Sequence, residues 1–156
     1  MNVSDARRSE VADVLMRVRR WAGGRADVRA AGLVGSWARG TERMSSDVDI
    51  VIVTSRPETY EESIDWLVDV GSPSVVRTQR WGVLLERRVR LASGLEIEFG
   101  FVPPAWADIS PIDPGTLRVA GDGLRALHDP YGLLARLLHA LSDRSARRCG
   151  SAPGGS

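Results

Sequence analysis

The chain contains no lysine; all 21 of its basic residues are arginine. That excludes a lysine nucleophile or Schiff base, and the bias itself fits GC-rich coding as easily as a function. Cysteine is nearly absent. With Cys149 alone near the C-terminal end, disulfides, zinc clusters and thiol catalysis have no support. The only histidines, His128 and His139, make no triad or metal cluster and read as structural or surface residues. No apolar run approaches the ~20 residues of a membrane span, and the opening segment lacks the apolar core of a signal. The expectation is a cytoplasmic protein with no membrane contact. An excess of one charge is missing too: the formal net charge of +1 provides no global attraction to nucleic acid.

What remains is a chain of 156 residues, enough for one domain with one core. Val11, Val14, Leu15, Val18, Trp21 and Ala22 recur at helical spacing, and Gly23-Gly24 ends that helix. A short apolar strand, Val28–Val34, follows. Ser55-Arg56-Pro57-Glu58 resembles a capping box with an early proline and predicts a helix through Ile64, Leu67 and Val68. Residues 75–80, 83–91 and 94–102 alternate as strands. Arg77, Arg80, Arg87, Arg88 and Arg90 make this region basic, as solvated strand faces or as a surface for an anion or acidic partner. Residues 103–115 read as an irregular connection with a helical turn at Trp106. Asp129-Pro130 caps a last helix striped by Leu133, Leu134, Leu137, Leu138 and Leu141. The domain is expected over residues 1–143, with 144–156 a disordered Arg/Ser/Gly/Pro tail.

Two segments carry chemistry. In Ser46-Asp47-Val48-Asp49-Ile50-Val51-Ile52-Val53, alternation places Asp47 and Asp49 on one strand face about 7 Å apart. The strand is apolar on both faces further along, as a buried central strand is. Two carboxylates this close repel, and a divalent cation relieves them; Mg²⁺ suits few carboxylates plus phosphate oxygens. By itself Asp-x-Asp also fits a strand end facing water. The second segment is Gly35-Ser36-Trp37-Ala38-Arg39-Gly40, which follows the first strand. Glycine admits a phosphate close to the backbone, and successive amides form an anion nest. A helix over residues 37–42 would add its N-terminal dipole, and Ser36 and Arg39 are further donors. By itself Gly-Ser also fits an ordinary turn. Trp37 either packs beneath this turn or borders a substrate.

Together, Gly35-Ser36-Trp37-Ala38-Arg39-Gly40 and Asp47-Val48-Asp49 resemble the signature of the polymerase-β-like nucleotidyltransferase superfamily. They are especially similar to its small stand-alone branch, the minimal and antibiotic nucleotidyltransferase-like domains. The resemblance implies an α/β fold, a mixed sheet of about five strands with helices mainly on one face. It also implies a third carboxylate on a later strand. Glu96 and Glu98 share one face of Leu95-Glu96-Ile97-Glu98-Phe99, and Glu98 is favoured because it lies deeper in the apolar run beside Gly100. Glutamate replaces the family's usual aspartate there, and that departure bears on where the base sits.

The implied reaction is nucleotidyl transfer from a nucleoside triphosphate, ATP first, to a hydroxyl, with release of pyrophosphate. Asp47, Asp49 and Glu98 would be catalytic and would hold two Mg²⁺ ions, with Mn²⁺ as the substitute; Glu96 is the alternative third ligand. Gly35, Ser36 and Arg39 would bind the phosphates. The acceptor, a small molecule or a protein side chain, is left open. Larger family members shape the acceptor site with a helical domain, so a homodimer or a helical partner protein would complete the pocket here. The competing reading is a non-catalytic, antitoxin-like module that binds nucleotide or partner.

Overall fold

The computed structural model describes residues 2–150. Helix α1 spans Asp5–Gly23; Ser4 caps it by accepting the Arg7 amide, and Val11, Val14, Val18, Trp21 and Ala22 form its buried stripe. Strand β1, Val28–Val34, is followed by α2, a single turn over Ser36–Arg39, and by β2, Val48–Thr54. A short α3, Thr59–Glu62, and a 3-10 turn, Asp65–Val70, lead into β3, Ser74–Trp81. Strands β4, Leu84–Arg90, and β5, Glu96–Val102, form a hairpin. A 3-10 turn at Pro104–Ala107, helix α4 at Pro114–Ala120, strand β6 at Arg125–His128 and helix α5 at Leu133–Gly150 complete the chain.

The strands form one six-stranded mixed sheet in the order β3-β4-β5-β2-β1-β6. β2 and β5 run parallel and the other pairs antiparallel. β1 and β2 are buried along almost their whole length, as central strands must be. Alternation sends Ile50, Ile52, Ile97, Phe99 and Phe101 to one face, where they pack with Val14, Val18, Trp21, Tyr60 and Trp66. Ala30, Val34, Val51, Val53 and Val102 face the other way and pack with Trp106, Leu124, Leu134 and Leu137. The larger core lies under α1. The second face also carries a layer, formed by α4, α5 and the Pro104–Ala107 turn. A sixth strand, β6, joins the expected five because Ala31, Gly32 and Leu33 offer β1 an otherwise open edge.

Three local expectations are corrected. The helix expected through Ile64 and Val68 breaks at Ser63, whose backbone is extended. Tyr60 and Trp66 dictate the break by entering one aromatic cluster with Trp21, Phe99 and Phe101, which leaves Ile64 and Val68 exposed. The last helix starts at Leu133 rather than at Pro130, yet Asp129 still caps it by accepting the amides of Leu134 at 3.1 Å and Ala135 at 2.8 Å. α5 also continues through Gly150, so residues 144–150 are helical rather than disordered; arginine is a good helix former and suits the C-terminal end of the dipole. Residues 151–156 lie outside the described residues. Among those described, no helix is long and apolar enough to cross a membrane.

Candidate active site

β1 ends where the chain must turn, and β-sheet register decides what the turn meets. Val34 pairs with Asp49, Asp49 with Glu98, Glu98 with Arg88, and Arg88 with Arg77. Paired residues project to the same face. One row across β1, β2, β5, β4 and β3 therefore carries two carboxylates followed by two guanidinium groups.

Gly35, the next residue along β1, has φ +74° and ψ −160°. Essentially only glycine adopts that conformation. A β-carbon there would overlap Asp49 Oδ2 and lie 2.9 Å from its Cγ. The glycine thus lets the turn reach the carboxylate, which an ordinary turn does not require. Its carbonyl accepts the amides of Ala38 and Arg39, each at 3.1 Å. The first-turn amides ahead of them have no intrahelical partner by helix geometry. α2 stops at Arg39 rather than continuing to residue 42, so the bend can offer an anion its own amides but no long helix dipole. Trp37 packs against the α1-side core beneath the turn, with Arg8 stacked at 5.9 Å from its ring. Arg39 is exposed, and its stem borders Gly123.

Asp47 lies just ahead of β2 rather than within it. Arg88 nevertheless ties it to the others: Nη1 donates to Asp47 Oδ2 at 2.7 Å and to Glu96 Oε1 at 3.1 Å, and Nη2 donates to Glu98 Oε1. Of the two glutamates, Glu98 is the register partner of Asp49, whereas Glu96 sits further along β5 and also accepts from Arg90 at 3.1 Å. Arg77 lies 3.9 Å from Glu98. Burial pushes the Asp49 carboxyl up to about 8, reinforced by its hydrogen bond with Glu98 and by the charges of Glu98 and Asp47. Burial works against the charge on Arg88, but Glu96, Glu98 and Asp47 outweigh it and hold the guanidinium above its ordinary pKa. Glu96 is lowered by its hydrogen bonds from Arg88 and Arg90.

The donor set consists of carboxylate oxygens, the chemistry that Mg²⁺ selects. Among the described residues no three such groups stand ready-made as a metal cage. The residues suit a divalent cation in donor chemistry, and Arg88 stands among Asp47, Glu96 and Glu98.

A family model described as a nucleotidyltransferase domain matches residues 15–99. The chain belongs to this family. The match takes in β1, the Gly35 turn, β2 and the Arg88–Glu98 hairpin. No curated protein matches the chain. Similar solved structures include the Cid1 poly(U) polymerase, at 16% identity over 64% of this chain and 31% of that one, TM-score 0.49. An aminoglycoside 6-adenyltransferase from Bacillus subtilis is similar at 16% identity over 64% of this chain and 36% of that one, TM-score 0.45. A cytoplasmic RNA terminal U-transferase is similar at 15% identity over 65% and 31%, TM-score 0.44. The chain thus spans about a third of the length of the solved structures it matches.

Sequence reasoning missed the contacts of Arg88 with the acids, grouping it with Arg77, Arg80, Arg87 and Arg90 as a basic region. A signal was present. Leu91-Ala92-Ser93-Gly94-Leu95 forms the hairpin turn, with Leu91 donating its amide to Leu95 O at 2.9 Å. Counting outward from Ser93 pairs Arg88 with Glu98.

Proposed function

We propose that the protein is a Mg²⁺-dependent nucleotidyltransferase that moves a nucleoside monophosphate from a nucleoside triphosphate, ATP first, to a hydroxyl of a small molecule or a partner protein. The observation that carries this reading is the approach of the Gly35 turn to Asp49, in the same row as Glu98. That contact brings an anion-binding bend against the carboxylates that would hold the cation accompanying a triphosphate.

Gly35 and Ser36 would bind the β and γ phosphates through backbone amides and the Ser36 hydroxyl, with Arg39 at the outer side. Asp47, Asp49 and Glu98 would hold two Mg²⁺ ions, or Mn²⁺ in their place, with Glu96 in reserve. When bound, such ions neutralise phosphate charge and activate an attacking oxygen. Glu98 would take the proton of the acceptor hydroxyl, since it is the register partner of Asp49. Positioning and charge neutralisation would supply most of the rate.

A second subunit or a helical partner would complete the acceptor pocket. The edge strand β3 supports this, with Val75, Val76 and Trp81 exposed. The non-catalytic, antitoxin-like reading is favoured by a different observation, the occupation of the carboxylate cluster by Arg88.

The test supplies α-labelled nucleoside triphosphates with Mg²⁺ or Mn²⁺ and candidate acceptors, and follows label transfer and pyrophosphate release. Transfer that disappears in Asp49→Asn is the expected result. Nucleotide binding without pyrophosphate under every condition would favour the binding module, and equal transfer by both proteins would refute the role of Asp49.

A further inference from the structure

The Arg88 side chain is only 21% exposed, and its two terminal nitrogens engage three carboxylates at once: Asp47, Glu96 and Glu98. These acids come from three places in the chain, the approach to β2 and two positions on β5. A guanidinium is a rigid planar fork, well matched to carboxylates that converge from different directions. The cluster thereby gains an internal cation. Arg88 Nε is buried without a hydrogen-bond partner among the described residues. The docked pose therefore satisfies the carboxylates at the expense of one of the arginine's own donors.

We propose that Arg88 is a tethered counter-cation that competes with divalent metal for Asp47 and Glu98, so that the free protein holds its carboxylates in a metal-excluding arrangement until Arg88 withdraws. This inference rests on the assignment of those carboxylates as metal ligands. The physical argument is competition. A guanidinium and a divalent cation on the same carboxylates weaken one another, because like charges so close repel and Arg88 already holds one oxygen of each acid. Binding of one must then weaken the other by a common factor, and such coupling between competing states is typically about 5- to 150-fold. Arg77, 3.9 Å from Glu98 and 3.3 Å from Glu86, keeps positive charge near the row when Arg88 leaves. Asp49 is not among the acids Arg88 bonds, so withdrawal frees the remaining ligands around it rather than moving it.

The test measures Mn²⁺ binding to the full chain without nucleotide, by calorimetry and by paramagnetic resonance. Arg88→Gln is expected to bind Mn²⁺ at least about tenfold more tightly than the wild type. Arg88→Lys keeps the charge but loses the fork, and should fall between them. In the wild-type chain, titration with diamagnetic Mg²⁺ should shift the Arg88 guanidinium resonances, a readout that needs no variant to fold. Equal Mn²⁺ affinity in Arg88→Gln and wild type would overturn the inference while leaving the metal site intact. So would Mg²⁺ binding that leaves the Arg88 resonances unmoved. Absence of binding to wild type and both variants would overturn the metal-site assignment itself, and this inference with it.

Discussion

Gly35 and Asp49 stand so close that a β-carbon on residue 35 would overlap the Asp49 carboxylate. The positive φ of Gly35 adds a second penalty for any side chain there, about 1–3 kcal/mol. Gly35→Ala is therefore expected to lower stability by at least that amount, read as a fall in the urea midpoint, and to abolish nucleotidyl transfer. Gly40, also at positive φ but with nothing near its would-be β-carbon, is the control. Gly40→Ala should destabilise without removing activity.

Burial beside Glu98 and Asp47 makes the Asp49 carboxyl keep its proton up to about pH 8, whereas the unfolded carboxyl releases it above about pH 4, and that difference disfavours the folded state at neutral pH. Asp49→Asn removes this cost and keeps a neutral donor for Glu98. The metal-free protein should gain about 1 kcal/mol in thermal or urea unfolding, while transfer falls at least about a hundredfold. A loss of both stability and activity would show that Asp49 serves packing rather than chemistry.

Glu98→Gln and Glu96→Gln separate the two glutamates. Glu98 is the register partner of Asp49, and Glu96 is shared with the exposed Arg90. Activity should fall at least about a hundredfold in the first and less than about tenfold in the second, read as kcat with saturating nucleotide. The reverse order would make Glu96 the third ligand.

At the other end of β2, Tyr60 donates its hydroxyl to Asp27 Oδ2 at 2.5 Å and Thr54 donates to the same oxygen at 2.8 Å. Burial raises the Asp27 pKa, but these hydrogen bonds and the Arg25 charge outweigh it and leave it below the ordinary value. The folded carboxyl thus holds its proton less tightly than the unfolded one. Its contribution is complete above the unfolded pKa of about 3.9 and disappears as pH falls through the folded value. Acid unfolding of Asp27→Asn should show a flatter pH dependence below about pH 4 than wild type. Tyr60→Phe should cost about 2 kcal/mol at neutral pH.

The Asp129 cap gives a smaller, local expectation. Asp129→Ala removes the acceptor for the Leu134 and Ala135 amides. A loss of about 1 kcal/mol, with activity unchanged per folded molecule, is the expected outcome by chemical denaturation.

The strands that carry the site were legible because their signals are local. Val28–Val34, the run through Val53, and the alternating segments ahead of Val102 announce themselves by period and by the turn residues between them. β6 was not legible: Arg125-Ala126-Leu127-His128 is short and exposed over its first two residues, and becomes a strand only through the edge that β1 presents. The broken helix at Ser63 escaped for a related reason. Its capping signal was read alone, whereas the aromatic cluster that pulls Tyr60 and Trp66 inward draws on residues from α1 and β5.

The identity of the acids, the glycine-serine bend, and the family to which they point all follow from side-chain chemistry and short spacings, which a linear chain carries openly. Which acids touch, and what sits among them, depended on register between strands distant in the chain. Pairing β2 with β5 set Asp49 beside Glu98, and pairing β5 with β4 set Arg88 against both glutamates and Asp47. Register depends on how whole sheet faces bury themselves, and a one-residue slip would have turned every one of these side chains to the opposite side.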